Sequence, residues 1–460
     1  MERTEIIRNT FSVCPVCLKK IPAYLTRRSG EKEIWMRKSC PEHGGFRVKI
    51  WSGRTAFEHW TQREEPLAPE QAEGCAGDCR NCADGVHGQD TCCVILEVTK
   101  ACNMHCSFCF AHGGETEEQP PYEELCRAID EIARKGNGPL IQFAGGEPTL
   151  RDDLPELVRY AKEAGCQYTQ VNTNGIRLAE DEAFVRKLAE AGLDIVFLQF
   201  DGTDEAVYRM LRGREMLEIK RKAIRSCGRY RIGVTLVPAI VRGVNDSELG
   251  NIVREAVDSF PAVKAVHFQP VTYLGRVPYP AEALPEHYTL DELMADLCAQ
   301  TGIPESALLP SRCDHAMCEF HATFMLNGKR QLVPMTDRAA DTRQERTDAA
   351  RNRQYVAEHW RREQRLTAEN ASERAEAPLP ERDPGLPLVC TDREEMDFDI
   401  FVRKMRSQTL KISAMAFQDA MNLDLERLYR CSLHVYEDGR LLPFCAKYMT
   451  PAAELPPAQK

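Results

Sequence analysis

The sequence predicts an α/β protein. Its centre is a partial (βα)6 barrel of parallel strands, preceded by a small N-terminal metal ribbon and followed by a C-terminal region rich in cysteine. Three observations carry this. Between residues 93 and about 275, short apolar runs alternate with amphipathic segments. Before them, two cysteine knuckles answer each other across 22 intervening residues. After them, further cysteines recur between 313 and 445. The chain of 460 residues exceeds one domain's usual length. It divides into a ribbon (1–61), a cysteine loop (62–92), the barrel core (93–300), a C-terminal region (301–337 and 388–460) and a charged insert or linker (338–387).

The barrel strands are expected at 93–99, 139–143, 167–172, 195–200, 231–238 and 264–270. Between them, Leu154, Leu157, Val158 and Ala161 share one helix face, as do Phe184, Val185, Leu188 and Ala189. Strands alternating with helices argue for parallel β/α units with right-handed crossovers. Such strands curve into a partial barrel whose site lies at their C-terminal ends.

The chemistry is expected at those ends. Cys102-Asn-Met-His-Cys106-Ser-Phe-Cys109 follows the first strand at spacing C-x3-C-x2-C. A tight loop can fold three thiolates around one [4Fe–4S] cluster. Full ligation takes four cysteines, so three leave one iron open to a small molecule. Structural zinc favours C-x2-C pairs, and no fourth ligand follows closely. After the second strand comes Gly145-Gly146-Glu147-Pro148. The two glycines permit close backbone approach to a ligand, and Glu147 can pair with an ammonium. Asn172-Thr-Asn174-Gly175 and Gln199-Phe-Asp201-Gly202 end the next two strands. They either cap turns or meet a ligand.

Other cysteines suggest further metal. Cys14-Pro-Val-Cys17 and Cys40-Pro-Glu-His43 make a tetrahedral set, either structural zinc or a mononuclear iron carrier. Cys75, Cys79 and Cys82 repeat the x3–x2 spacing in a polar loop without a preceding strand, and Cys92 supplies a fourth ligand. Four ligands close a cluster, which suits an auxiliary, electron-transferring or structural role. In the C-terminal region, a hairpin around Glu437-Asp438-Gly439 with a three-residue loop would set Cys431 opposite Cys445. Cys313 and Cys318 would complete that auxiliary site, with Cys390 or His434 as substitutes.

Composition narrows the class. A net charge of −10 gives no electrostatic footprint for nucleic acid. No run of 18 apolar residues suggests a membrane span, and the N-terminus shows no signal-peptide core. The expectation is a cytoplasmic chain whose 20 cysteines serve mainly as metal ligands.

The cysteine loop, the Gly145-Gly146-Glu147 turn and the β/α repeat resemble the radical S-adenosylmethionine (SAM) enzymes. The ribbon, the Asp78-Cys79 loop, Cys109-Phe-Ala and Phe417-Gln-Asp-Ala are similar to the archaeal tetraether-lipid synthase branch and its bacterial TrsS-type radical SAM (seleno)protein relatives. That resemblance implies that Cys102, Cys106 and Cys109 hold a cluster whose open iron chelates SAM. It implies that Phe108 packs near the adenine, and that Gly145, Gly146 and Glu147 hold the amino group. Asn172, Asn174, Gln199 and Asp201 would meet the ribose or the substrate. It further implies reductive cleavage of SAM to a 5′-deoxyadenosyl radical, which abstracts hydrogen from an unactivated C–H bond. The outcome would be C–C coupling or methylation of a lipid-like or cofactor-like small molecule, a pterin among the latter. A low-potential donor such as a flavodoxin or ferredoxin would supply electrons. Peptide modification is an alternative outcome, and a non-catalytic iron–sulfur carrier is the alternative class. Glu147 separates the classes, because a carrier needs no ammonium clamp.

Overall fold

The computed structural model describes residues 4–62, 64, 91–116, 119–136, 138–341, 350–354, 381–390 and 408–456. The chain opens with a four-stranded antiparallel meander, β1 (Thr4–Val13), β2 (Lys20–Arg28), β3 (Ile34–Cys40) and β4 (Gly44–Trp51), in sequential order. Its inner face carries Leu25, Ile34, Met36 and Trp51, all essentially buried. Helix α1 (Phe57–Thr61) closes it by setting Phe57 and Trp60 against the Trp51 ring at 5.7 and 6.3 Å.

The parallel core follows as β5 (Cys93–Thr99), α2 (Tyr122–Lys135), β6 (Leu140–Gly145), α3 (Leu154–Glu163), β7 (Tyr168–Thr173), α4 (Ile176–Glu180), α5 (Glu182–Ala191), β8 (Ile195–Gln199), α6 (Glu205–Arg212), α7 (Leu217–Arg229), β9 (Gly233–Val237), the short β10 (Ala239–Ile240), α8 (Leu249–Asp258) and β11 (Val263–Pro270). The six expected strands all form, within two residues of the expected limits, and run parallel in the order β5-β6-β7-β8-β9-β11 with β10 beside β11. Their continuous apolar character comes from the face that the helices cover. Phe143, Val171, Leu198, Leu236 and Phe268 point there and pack with Leu157, Val185 and Ile224 in one core. Truncating Phe143 to alanine in such a core costs about 3–5 kcal/mol.

The C-terminal region is continuous with this sheet. After α9 (Leu290–Thr301) come β12 (Leu309–Pro310), β13 (Glu319–Leu326), β14 (Leu332–Pro334), β15 (Thr409–Met415), α10 (Leu425–Tyr429), β16 (Leu433–Glu437), β17 (Arg440–Pro443) and α11 (Phe444–Lys447). β15 pairs parallel with β11, and β16 pairs parallel with β5. The region therefore occupies both edges of the barrel sheet, satisfying N–H and C=O groups that a bare edge would expose. Leu410, Ile412 and Ala414 alternate into the core, a period-2 signal present in the sequence.

Strand alternation puts Gln142, Gln170, Asn172, Phe197, Gln199, Thr235, His267 and Gln269 on the face away from the helices. At the N-terminal ends of the strands, Leu140, Tyr168 and Ile195 form an apolar floor with Cys92 and Cys313. The ribbon docks on this body through Arg8 to Glu426 at 2.7 Å and to Asp424. Ser52 Oγ to Asp291 at 2.7 Å and Lys38 Nζ to the Ala420 carbonyl at 2.6 Å add to the contact.

Candidate functional site

The cysteine loop leaves the C-terminal end of β5 and is gripped from three sides. Ala101 bridges to Gly114, and Cys102 N–H donates to the Gly114 carbonyl at 2.9 Å. Ser107 N–H donates to the Leu211 carbonyl on α6 at 3.1 Å. Cys109 and Arg276, the latter just beyond β11, exchange two backbone hydrogen bonds of 2.9 Å. The Arg276 guanidinium then donates to the carbonyls of Cys106 at 3.0 Å and Gly113 at 3.2 Å. Cys106 and Cys109 lie within electrostatic reach of Cys102. Burial pushes Cys102 up to about 11 against the Met104 N–H, and Glu147, Cys106 and Cys109 add to that push. A cation among these groups would reverse this preference and hold them as thiolates. Three thiols from one loop are the donor set for a cluster with one open corner. A cavity of about 460 Å³ opens beside Cys102, lined by Asn103, Gly114, Thr116 and Leu150.

The two glycines approach the chain's own backbone closely. A Cβ on Gly145 would lie 2.2 Å from the Thr99 carbonyl oxygen, and one on Gly146 would lie 2.1 Å from that of Ala101. Gly146 and Glu147 donate their N–H groups to those two carbonyls at 2.7 Å each. The close approach is therefore to the chain's own strand end, and it seats the turn against the cysteine loop. Glu147 is buried. Its Oε1 accepts from Thr149 N–H at 3.1 Å, Thr149 Oγ1 at 2.5 Å and Thr173 Oγ1 at 2.6 Å, while Oε2 accepts from Asn174 N–H at 2.7 Å. A carboxylate offers about four acceptor sites, two per oxygen. What remains for an ammonium is a share of Oε2.

Asn174 caps the turn into α4, accepting from Ile176 N–H at 3.0 Å, and also donates to Asn103 of the cysteine loop at 2.7 Å. Asn172 accepts from Gln170 at 3.3 Å on the helix-free face. Asp201 is fully buried. Arg212 grips it through two bonds of 2.7 Å, the Ala239 N–H donates at 3.1 Å, and Gln199 is also bonded to it. Burial pushes its carboxyl up, but the charge of Arg212 prevails and holds it below the usual range. Lys220 lies behind this pair, donating to the Asn174 carbonyl at 2.5 Å and Gln199 Oε1 at 3.3 Å; burial pushes its ammonium down to about 7. Phe108 packs against Val207, Leu211 and Val241, with its ring 6.0 Å from that of Tyr279. Sequence reasoning missed Asn103, Arg212, Lys220 and Arg276, whose partners lie between 21 and 170 residues away or, for Arg212, across a helix and a turn. No local spacing announces such contacts.

The ribbon residues converge. The ligand atoms of Cys14, Cys17, Cys40 and His43 lie within 4.8 Å of one another, with His43 Nδ1 3.6 Å from Cys14 Sγ and 3.5 Å from Cys40 Sγ. The Cys14 turn is a tight knuckle, closed by Leu18 N–H donating to the Cys14 carbonyl at 2.9 Å.

Cys75, Cys79 and Cys82 lie outside the described residues. Their expected companion Cys92 is buried on the barrel floor, where its sulfur accepts from Asn352 Nδ2 at 3.2 Å. Of the expected C-terminal quartet, Cys431 lies within electrostatic reach of Cys445 and Cys318. Cys313 packs with Cys92 on the floor and bonds to Ser432, the neighbour of Cys431. The loop between them is pinned by Asp314, which accepts from Ser432 N–H at 2.8 Å. Cys390 is excluded as a substitute. Its N–H donates to the carbonyl of Leu332 on β14, which pairs with Leu326 at one end of β13, roughly 25 Å along that strand from Cys318 at the other. His434 is buried within β16 and pairs with Val94. The hairpin register also differs from expectation. Glu437 pairs with Arg440 across a two-residue Asp438-Gly439 turn, with φ of 45° and 79°. Asp-Gly tolerates two consecutive positive φ values, and that turn matches the strand twist better than a three-residue loop. Cys431 precedes β16, and Cys445 follows β17 within α11.

Residues 96–256 match the family model of the radical SAM superfamily, and residues 6–52 match that of the HMPTM N-terminal zinc ribbon domain. The chain is 31% identical over 477 residues to a Methanocaldococcus jannaschii protein, 7,8-dihydro-6-hydroxymethylpterin dimethyltransferase, covering 95% of this chain and 92% of the relative. It is 30% identical over 161 residues to a probable GTP 3′,8-cyclase of Pyrococcus abyssi, covering 35% of this chain and 51% of that one. Among solved structures, Streptococcus suis SuiB bound to S-adenosylmethionine is similar with a TM-score of 0.37 and 13% identity, over 65% of this chain and 69% of that one. Among the described residues, no helix is long and apolar enough to cross a membrane.

Proposed function

The chain belongs to the radical SAM superfamily, and from that premise we propose that it is an enzyme that alkylates a cofactor-like small molecule, with methylation of a reduced pterin as the specific reaction. The observation that carries this is the near full-length similarity to the pterin dimethyltransferase, which includes the ribbon as well as the barrel. When bound, the [4Fe–4S] cluster and one SAM would supply one-electron cleavage, and the methyl group would come from a second SAM, because the cleaved one keeps its methyl on methionine. Cys102, Cys106 and Cys109 hold the cluster on a loop whose backbone Arg276 and Ser107 fix in place. Glu147 ties the ends of β6 and β7 together and offers its less-used oxygen, Oε2, to the SAM ammonium. Phe108 presents an apolar ring beside the loop. The ribbon's Cys14, Cys17, Cys40 and His43 hold a zinc ion that stabilises the docked meander. A low-potential protein supplies the electrons.

The test is an anaerobic assay of reconstituted enzyme with SAM, dithionite and 7,8-dihydro-6-hydroxymethylpterin, read by mass spectrometry. Methylated pterin, formed as SAM is consumed, is the expected result. Cleavage of SAM with the pterin unchanged would remove the pterin reading.

A further inference from the structure

We propose that the outer face of the N-terminal ribbon sheet is the docking surface for an acidic, one-electron carrier protein, and that Tyr24, Arg37 and Arg47 are its principal contacts. The inference rests on the reading that a low-potential protein supplies the electrons, and it is independent of which substrate is methylated.

Charge separates the ribbon from the rest of the chain. Residues 1–61 hold 12 lysines and arginines against 6 acidic residues, whereas residues 62–460 hold 48 against 64. A chain that is acidic overall thus carries one basic unit. Such a field steers an acidic partner towards the ribbon and repels it elsewhere.

The register sorts the ribbon's side chains between two faces. Arg8, Thr10 and Lys38 point to the body, where they bond to Glu426, Asp424 and the Ala420 carbonyl. Residues of the opposite parity face away. One row of them crosses all four strands, with Asn9 opposite Tyr24, Tyr24 opposite Arg37, and Arg37 opposite Arg47. The row beside it aligns Ile6, Thr26 and Trp35. The Arg47 guanidinium lies 3.6 Å over the Trp35 ring. Ile6 at 58% and Tyr24 at 42% are two of the four exposed large hydrophobic side chains among the described residues.

The cations of this face are short of counter-charge. Arg37 Nε is buried without a hydrogen-bond partner, and among the described residues no carboxylate pairs with Arg37 or Arg47. The nearby Glu33 is bonded to Trp35 Nε1 at 3.0 Å, and Glu31 is paired with Arg28 at 3.6 Å. Burial, and then repulsion from Arg28 and Arg37, disfavour the Arg47 charge; Glu31 and Glu33 offset part of this. A carboxylate arriving from a partner relieves the repulsion and suits the guanidinium fork.

These features select the occupant. Tyr, Trp and Arg are the residue types enriched in protein interfaces. A nucleic-acid track neutralises about six to ten phosphates, and a polybasic membrane anchor uses about four to eight cations. Both exceed what this face offers. A carrier that docks, gives up one electron and leaves needs a small, charged, weak interface. The ribbon is also tied to the cluster loop. Ala452 N–H donates to the Pro15 carbonyl at 2.8 Å, and Gly275 N–H donates to Thr450 Oγ1 at 2.7 Å. The next residue, Arg276, pairs with Cys109.

The probe is a strongly acidic flavodoxin, with a [4Fe–4S] ferredoxin as the second. Binding to anaerobic, cluster-loaded enzyme is measured by calorimetry. Formation of 5′-deoxyadenosine from SAM is measured with the carrier kept reduced by NADPH and its reductase. Arg37→Glu combined with Arg47→Glu should weaken flavodoxin binding about tenfold or more at low ionic strength, and the gap should narrow as salt rises. The KM for the carrier should rise in step, while dithionite-driven cleavage stays at the wild-type rate. Zinc content and melting temperature report whether the ribbon stays folded; where the double reversal unfolds it, Arg37→Gln with Arg47→Gln carries the test, with the same direction expected. Tyr24→Ala should weaken binding as well.

Equal carrier affinity and KM in the wild type and the folded variants overturns the docking face while leaving a protein donor in place. So does binding of RNA or of phosphatidylglycerol vesicles that depends on Arg37 and Arg47 when carrier binding does not. If neither carrier binds or drives cleavage while dithionite does, the reading of a protein donor falls and the docking face with it.

Discussion

Glu147 and Asp201 are both buried carboxylates at strand ends, and their partners assign them different work. Glu147 accepts from four donors on two strand ends, so Glu147→Gln would aim an amide N–H at groups that are themselves donors. A mismatched buried group costs about 1–3 kcal/mol, visible as a lower denaturation midpoint. Glu147→Ala should weaken SAM binding by one to two decades, because a charge-assisted bond is worth roughly 1.5–3 kcal/mol. Asp201 is paired with buried Arg212. Asp201→Asn leaves that guanidinium without its counter-charge, and urea unfolding should show a loss of about 3–5 kcal/mol. The sign with pH follows from the lowered carboxyl. Its stabilisation is fully present above the unfolded value near 4 and is lost as pH falls through the lower folded value. Acid titration of the Asp201→Asn variant should show less of that low-pH loss than the wild type.

At the scale of elements, the ribbon is stitched to the C-terminal region by Arg8 and to α9 by Asp291. Cys40→Ser in the full chain should remove one equivalent of zinc by elemental analysis while leaving cluster iron in place; loss of both would make the ribbon part of the cluster machinery. The cysteine spacing made the metal knuckles legible, and apolar alternation made the six parallel strands legible. β1 and β4 were not legible, because β1 is largely exposed and β4 interleaves Arg47 and Lys49 with its apolar residues. The placement of β15 and β16 on opposite sheet edges depends on pairing with β11 and β5, more than 140 and 330 residues earlier. Gly145 and Gly146 were recognised as close-approach residues, but what they approach is set by tertiary structure. The hairpin register turned on one residue of loop length, and the local preference of Asp438-Gly439 for a two-residue turn decided it.

Across the whole molecule, the cysteines fall into groups with separable chemistry. The ribbon set is complete, the β5 loop presents three thiols, Cys318, Cys431 and Cys445 act on one another electrostatically, and Cys313 packs with Cys92 on the floor. If three cubes form, reconstituted protein should hold roughly twelve cluster irons. Cys445→Ala should then lower iron by about four per chain, whereas Cys313→Ala should leave it unchanged. The central claim is that the loop after β5 carries the catalytic cluster. Its most direct test is formation of 5′-deoxyadenosine, followed by chromatography under anaerobic conditions with SAM and dithionite. Replacing Cys102, Cys106 and Cys109 together with alanine should abolish that product, while replacing Cys75, Cys79 and Cys82 should leave some of it. The reverse pattern, with cleavage surviving in the Cys102 variant and lost in the Cys75 variant, would contradict the account.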